Sequence, residues 1–384
     1  MENMKKTFEP SYNVIRAVSA IMVVFTHFSY SFVEYGISTG PGLLMFKNGD
    51  IGGVFVTMFF MLSGAALLHN YPGFRDKNNP GIGKTLKNLG IFYKKRWLTI
   101  FPMFYIAWAV MYVINSKRVG GWFWGGPRKN FILSFLGMDG YFLHLGMNYY
   151  CLGEWFLGAI IILYLLYPLL LFLWNKARIP STALILFFFL FNLRRHYFSS
   201  APDVNIFIVL IKYYNSHITI SDNMCVWTCV LDFWCGFILE TYALPFIKRL
   251  QTPEENGKPG KGGLAATLIL VFLLSLFFIF EFPLYKQEIA VVMGLLFYLF
   301  FTLITPAIKS LPPLYSLLNL ISRYSYGIFL VHHVLIYGIL NLLKDFEFNR
   351  FSSLVLFIPE FAFIILVGSI LDRMCKRFLT PGKK

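Results

Sequence analysis

The chain carries little charge. Of its 384 residues, 14% are Asp, Glu, Lys or Arg and 57% are hydrophobic. Soluble domains carry about a quarter charged residues, so this composition excludes an ordinary soluble protein. Cysteines are also few and form no disulfide framework. They are Cys151, Cys225, Cys229, Cys235 and Cys375. Three of them, Cys225, Cys229 and Cys235, lie in one predicted span, and we interpret these three as small buried hydrophobes rather than metal ligands.

Alternation of polar and apolar residues with a period of two is also absent, which excludes a membrane β-barrel. Instead, long runs carry no charged residue at all, for example 155–174 and 289–308. At 1.5 Å per residue, such a run crosses the roughly 30 Å hydrocarbon core as a helix. The sequence therefore predicts an all-α polytopic integral membrane protein.

The hydropathy pattern predicts ten transmembrane helices. They run near 12–33, 51–70, 94–114, 153–174, 180–197, 224–245, 264–281, 287–309, 318–343 and 351–375. Residues 203–214 are apolar but too short to span, which indicates a re-entrant or interfacial segment. We expect a single membrane domain over residues 1–384, with no separate soluble domain.

Basic residues are distributed unevenly among the connections. With the N-terminus inside, the cytoplasmic segments hold 22 of the 34 lysines and arginines, and the outer segments hold 11. This bias predicts that both termini are cytoplasmic. It also explains the net charge of +15 without nucleic acid as a partner.

Two ionisable side chains interrupt the first apolar segment. Arg16 and His27 lie eleven residues apart in VIRAVSAIMVVFTHFSYSF. Eleven helical steps return to within about 20°, so both share one helix face, roughly 16 Å apart along the axis. Intramembrane ionisable residues are costly and mark function by default. The alternative is a packing pair in which Arg16 snorkels and His27 bonds a neighbouring helix.

A basic segment precedes the third predicted span. Residues 75–96 carry seven positive charges and one acid, Asp76, and end in Lys94, Lys95 and Arg96. One interpretation is a topology signal without a ligand. The other is an anion site for a phosphate-rich cytosolic ligand, and the two are compatible.

Five motifs occur in order along the chain. They are IRAVSAIMVVFTHF around Arg16 and His27, FFMLSG at 59–64, KKRWLTIFP from Lys94, EWFLGAIIILYLLYPLL from Glu154, and SYGIFLVHH at 325–333. Together they resemble the membrane acyltransferase-3 family, which also has ten spans. The chain is shorter than relatives that carry an extracellular hydrolase-like domain.

The resemblance implies transfer of an acyl group, most often acetyl, from cytosolic acyl-CoA to a hydroxyl of a carbohydrate at the outer face. By this analogy His27 is the catalytic base and Arg16 its companion. The segment Lys94–Arg96 would hold the phosphates of acetyl-CoA, which is a substrate, and no metal is implied. The resemblance also implies a multi-pass protein of a bacterial plasma membrane, in contact with lipid.

Three further polar residues could complete the site. His332 is favoured by the resemblance, and we expect at most one of His332 and His333 to face the same path as His27. Asp232 could orient a histidine, and Glu154 could orient His27 or bind acceptor hydroxyls. Structural hydrogen bonding would explain His332 and Asp232 equally well. The alternative function is a transporter or flippase for a lipid-linked sugar or small anion, although inverted repeats are not visible.

Overall fold

The structure is a computed structural model. It describes residues 9–37, 40–42, 45–47, 49–74, 82–143, 147–199, 225–251 and 261–379. The apolar segment 203–214 therefore lies outside the described residues.

The described residues are almost entirely helical. A two-stranded antiparallel hairpin, β1 (Met45–Phe46) with β2 (Gly49–Asp50), precedes the second helix. A π-helical turn, Leu239–Ala243, joins the helix that ends at Ile238 to the helix that begins at Leu244. The helices are α1 (Pro10–Glu34), α2 (Ile51–Asn70), α3 (Ile82–Val119), α4 (Phe131–Phe135), α5 (Glu154–Ser199), α6 (Val226–Ile238), α7 (Leu244–Gln251), α8 (Lys261–Ile279), α9 (Lys286–Lys309), α10 (Pro312–Leu342) and α11 (Arg350–Leu379). This confirms the predicted all-α polytopic membrane protein.

Nine helical segments in the described part of the chain are long and apolar enough to cross a membrane, when α6, the π-helical turn and α7 are counted together as one segment, Val226–Gln251. The difference from the ten predicted spans lies in α5, which covers two of them, 153–174 and 180–197. Its backbone leaves helical geometry at Ala177 (φ −143°, ψ 43°). The ring of Pro180 clashes with a helical carbonyl four residues earlier, which accounts for a break at this point. At 1.5 Å per residue, α5 is about 69 Å long, enough for two crossings.

Helix α1 begins at Pro10, with Glu9 as its N-terminal cap. The Glu9 carboxylate accepts hydrogen bonds from the backbone N–H (3.3 Å) and hydroxyl (2.8 Å) of Ser11. It also pairs with Lys248 at 2.7 Å. Burial raises the pKa of Glu9, but the bonds from Lys248 and Ser11 outweigh it and leave the pKa lowered. The carboxylate therefore stays charged at the positive end of the helix dipole.

The chain forms two compact units, which we name by their place in the sequence. The inserted unit is Tyr71–Trp234, and the terminal unit combines Glu2–Asn70 with Cys235–Lys384. Helices α1, α2 and α7 to α11 lie wholly in the terminal unit, and α3 to α5 lie wholly in the inserted unit.

Helices α1 and α10 of the terminal unit pack in parallel. Near the start of both helices, the Asn13 amide donates to Asn319 Oδ1 at 2.9 Å. Near their ends, the Tyr337 hydroxyl donates to Glu34 Oε2 at 2.6 Å. These helices correspond to the first and ninth predicted spans. Successive spans cross the membrane in alternating directions, so two odd-numbered spans run in the same direction, as these helices do.

Two close helix contacts fix the neighbours of α1 and α10. A Cβ on Gly52 of α2 would come within 2.6 Å of Thr26, the residue before His27. A Cβ on Gly327 of α10 would come within 2.7 Å of the Gly368 carbonyl oxygen of α11. Small residues allow such close approach of helices in membranes. Larger side chains at either glycine would push the packed helices apart.

Candidate functional site

His27 meets His333 between α1 and α10. His27 Nδ1 and His333 Nε2 are 2.8 Å apart, a hydrogen-bond distance, and the ring centroids are 4.0 Å apart in an edge-to-face arrangement. Both rings are partly buried. Two helices that are distant in sequence thus bring two imidazoles into direct contact inside the terminal unit.

His332 completes a three-histidine cluster, which consists of His27, His332 and His333. The His332 ring centroid lies 5.1 Å from that of His27 and 4.8 Å from that of His333. Both histidines of α10 therefore lie beside His27, whereas the 100° helical step led us to expect at most one. The side chains of His332 and His333 leave α10 about 100° apart, and the His27 ring lies between these two directions. It therefore approaches both rings.

A hydrogen bond from His332 to the backbone determines which tautomer its neutral ring adopts. Its Nδ1 lies 2.8 Å from the carbonyl oxygen of Phe329, so Nδ1–H donates to that oxygen. In a neutral ring the other nitrogen, Nε2, then carries a lone pair. Among the described residues this buried Nε2 has no hydrogen-bond partner, and the side chain is 1% exposed. A buried acceptor without a donor is costly, which marks the cluster as more than a packing feature.

The bond between His27 and His333 admits two tautomeric arrangements, because a neutral imidazole donates through one nitrogen and accepts through the other. When Nδ1–H of His27 donates to His333 Nε2, the Nε2 of His27 keeps its lone pair. No described residue hydrogen-bonds to that nitrogen. In this arrangement His27 can accept a proton from a bound molecule.

Arg16 lies on the same helix as His27, three turns earlier, in different polar surroundings. The Tyr12 hydroxyl donates to the Glu240 carboxylate, which also contacts His69 Nδ1 at 2.6 Å. Glu240 belongs to the π-helical turn, a local irregularity that is frequent at functional sites. Arg16 interacts electrostatically with Tyr298 nearby. The guanidinium therefore belongs to a polar cluster of its own, at the level of Tyr12.

Toward the other end of α1, the charged pair Asp50–Lys286 lies near His27. The Asp50 carboxylate accepts from Lys286 Nζ and, at 3.0 Å, from the backbone N–H of Gly53 at the start of α2. Burial raises the pKa of Asp50, but these hydrogen bonds outweigh it and leave the pKa lowered. The carboxylate acts electrostatically on His27. A negative charge is therefore held close to the three-histidine cluster.

Sequence reasoning missed this pair and gave His333 less weight than His332. The pattern Asp-Ile-Gly-Gly at 50–53 is a helix N-cap signature, which could have placed Asp50 at the start of α2. Nothing in the sequence indicated that Lys286, 236 residues away, is its partner.

The predicted donor-binding residues lie on α3 in the inserted unit. Lys94 and Lys95 are exposed, and Arg96 is half-buried. The Arg96 guanidinium lies over the rings of Tyr71 (5.5 Å) and Tyr164 (5.7 Å). Such contacts hold a cation through the ring quadrupoles.

An open groove of about 340 Å³ adjoins Arg96. Its lining includes the side chains of Lys94, Trp97 and Ile100, but not Lys95. Two of the lining residues are cationic, but the walls of the groove are almost entirely apolar. Binding of a coenzyme A phosphate by Lys94, Lys95 and Arg96 stays a prediction.

The two other candidate carboxylates also lie in the inserted unit. Glu154 begins α5 with an unusual backbone φ of +45°, and its Oε1 accepts from the Tyr150 hydroxyl at 3.0 Å. Asp232 lies in α6 with its side chain 2% exposed. The three histidines belong to the terminal unit, and the predicted roles of both carboxylates toward a histidine remain predictions.

Comparison with protein families identifies the chain over nearly its whole length. The family model described as an acyltransferase domain matches residues 9–373, which include every candidate residue named above. Comparison with curated proteins and with solved structures finds no significant match.

Proposed function

The chain belongs to the acyltransferase 3 family, and we propose that it transfers an acetyl group from acetyl-CoA to a hydroxyl of an extracytoplasmic carbohydrate. The bond between His27 and His333 carries this proposal, because one of its two tautomeric arrangements leaves a lone pair on Nε2 of His27, as a general base requires. The carbohydrate acceptor is a surface polysaccharide or another extracytoplasmic glycan, and the protein itself lies in a bacterial plasma membrane.

Coenzyme A is multiply anionic and does not enter hydrocarbon. In the proposal its phosphates bind Lys94, Lys95 and Arg96 on the cytoplasmic side, where arginine and lysine offer charge-assisted hydrogen bonds. The excess of basic residues in the same set of connections supports a cytoplasmic position for this segment and for both termini. The thin pantetheine arm then carries the thioester into the membrane domain.

The reaction is a direct acyl transfer. The acceptor hydroxyl gives its proton to Nε2 of His27 as its oxygen bonds to the thioester carbonyl carbon. The tetrahedral oxyanion collapses, the carbon–sulfur bond breaks, and the thiolate takes the proton back from His27. The products are the acyl ester and free coenzyme A, with no net proton release. General-base assistance of this kind contributes about 10²–10⁴ in rate.

His333 and Arg16 have different roles in this scheme. His333 accepts from Nδ1–H of His27 and so keeps the lone pair on the reacting nitrogen, as an orienting partner does in catalytic triads. Arg16 is about 16 Å from His27 along the helix and does not touch it. Its guanidinium either steadies the donor's phosphates or stabilises the oxyanion through a water.

The test is acyl transfer by the purified protein in lipid nanodiscs. Labelled acetyl-CoA and a panel of glycans are supplied, and label in the glycan and free coenzyme A are measured together. His27→Ala should lower the rate by about 10²–10⁴. The matched control is Thr26→Val on the same helix, whose hydroxyl donates only to the Met22 carbonyl oxygen one turn earlier.

Two results would contradict the proposal. One is full transfer by a folded His27→Ala protein, which would remove the base. The other is sugar or anion uptake into proteoliposomes, lost in Arg16→Ala, with no acylated product. That outcome would establish the transporter alternative instead.

A further inference from the structure

We propose that the three-histidine cluster is also a binding site for a divalent transition-metal ion, with zinc the best fit, and that a bound ion blocks acyl transfer. The cluster is the one group of three or more metal-ligating side chains that the described part of the chain brings together. One nitrogen from each of His27, His332 and His333 lies within 4.8 Å of the other two.

The distances suit an ion after a small adjustment. In a tetrahedral zinc site with Zn–N bonds of about 2.0–2.1 Å, the ligand nitrogens lie about 3.3 Å apart. His27 Nδ1 and His333 Nε2, at 2.8 Å, would open by about half an ångström, and His332 would move inward. In the metal-free protein, one proton lies in the hydrogen bond between His27 Nδ1 and His333 Nε2. An ion can take the place of that proton and be bound by both nitrogens.

His332 supplies an independent observation. Its Nε2 is buried, has no hydrogen-bond partner among the described residues and carries the lone pair. Its Nδ1–H donates to the Phe329 carbonyl oxygen at 2.8 Å. Metal-ligating histidines characteristically donate their second N–H to a carbonyl or carboxylate, which fixes the ligating nitrogen. His332 thus already has the tautomer and the orienting bond of a ligand.

The chemistry of the donors selects the class of ion. Three neutral imidazoles suit zinc, copper and nickel, whereas magnesium and calcium prefer oxygen ligands. The nearby Asp50 carboxylate, which acts electrostatically on His27, attracts the positive charge of an ion bound here. Partial exposure of His27 and His333 gives the ion an approach that the buried His332 does not offer. Three protein ligands leave a fourth position for water.

Blocking of the reaction follows from the tautomer of His27. An ion bound to Nδ1 leaves the proton of the neutral ring on Nε2, so the nitrogen that would accept the proton of the acceptor hydroxyl no longer has a lone pair. This consequence rests on the proposed function, but binding of the ion does not. The two parts therefore need separate measurements.

Binding is measured first, without turnover. Co²⁺ is titrated into the metal-free protein in nanodiscs, and its visible absorption reports the ligand geometry. Zn²⁺ is then added, and calorimetry measures its affinity as it displaces Co²⁺. We expect one ion per chain. Loss of an outer-shell partner typically weakens metal binding about 10–100-fold, so loss of a ligand in His332→Leu or His333→Leu should weaken it at least that much. His69→Asn is the matched control, because His69 bonds Glu240 and lies outside the cluster.

Three results would overturn the site. They are the absence of Co²⁺ absorption, equal affinity in His332→Leu and the His69→Asn control, and Mg²⁺ binding as tight as that of Zn²⁺. Thermal unfolding of each variant verifies that the protein is folded. If Zn²⁺ binds as expected but no acyl transfer is ever detected, the metal site stands and the proposed function fails. If Zn²⁺ binds and transfer continues unchanged, the blocking effect is refuted.

Discussion

Replacement of His333 tests the catalytic arrangement most directly. The His333→Ala change removes the acceptor that lies 2.8 Å from Nδ1 of His27. A net hydrogen bond is worth about 0.5–1.5 kcal/mol, and each 1.36 kcal/mol is a factor of ten in rate. The bond alone therefore accounts for about 2- to 13-fold in kcat. Loss of the favoured tautomer adds to this, so we expect a decrease of about 10- to 100-fold, smaller than that for His27→Ala.

The assay separates this role from simple damage to packing. Steady-state acetyl-CoA turnover gives kcat and KM for each variant in nanodiscs. His333→Gln places an amide oxygen where Nε2 lies, so it should recover most of the lost kcat. The KM for acetyl-CoA should be unchanged in both variants. In a double-mutant cycle, adding His333→Ala to His27→Ala should cost nothing further, because His333 acts only through His27.

The reasoning would be refuted by any of three outcomes. The His333→Ala protein could keep the wild-type kcat, which would show that the bond has no catalytic role. The Gln and Ala variants could lose the same amount, which would indicate a packing defect. The two substitutions could multiply in the double variant, which would show that His333 acts independently of His27.

Three further predictions concern stability and the donor. Both carboxyl oxygens of Glu360 are buried with no hydrogen-bond partner among the described residues; Glu360→Leu should therefore raise the free energy of unfolding by about 1–3 kcal/mol. Glu288→Leu, which loses a 2.9 Å bond from a backbone N–H, should lower it in the same thermal unfolding assay; a decrease in both would contradict the first assignment. Because the bond from Lys286 outweighs burial and lowers the pKa of Asp50, this carboxylate stabilises the fold above its ordinary pKa of about 3.9. The stabilisation by Asp50 should be lost as the pH falls through the lowered pKa that this carboxyl has in the folded protein. When the free energy of unfolding is measured against pH, the Asp50→Asn protein should lack this loss of stability in acid. Neutralising Lys94–Arg96 together should raise the KM for acetyl-CoA at unchanged kcat, and an unchanged KM would exclude that donor site.

Sequence reasoning predicted most of the fold because membrane spans obey a local rule. Backbone groups in hydrocarbon must be hydrogen-bonded within the segment, so a long apolar run has to be helical. The spans at 51–70 and 287–309 agree closely with α2 and α9. The interruption of α5 at Ala177 was also visible, because Pro180 and the basic residues around it separate two apolar runs. The structure keeps these two runs in one interrupted helix.

The candidate site was predicted less completely, because it depends on contacts between distant segments. Helical periodicity placed Arg16 and His27 on one face, and the family match covers both. The partner of His27 depends on how α10 is rotated against α1, which no local pattern reports. Contacts between the two helices accompany that rotation, including the hydrogen bonds of Asn13 with Asn319 and of Tyr337 with Glu34. The preference for His332 therefore came from resemblance, and the contact with His333 from the structure.

By itself, the sequence determined that this protein crosses the membrane as helices and that one of them carries an arginine and a histidine at different depths. Both conclusions follow from the cost of polar groups in hydrocarbon and from the constant pitch of the helix. Only the tertiary structure decided that His27 meets two imidazoles and that Asp50 is paired with Lys286 beside it. These contacts join residues more than 230 positions apart, and side-chain packing between helices, rather than any local preference, brings them together.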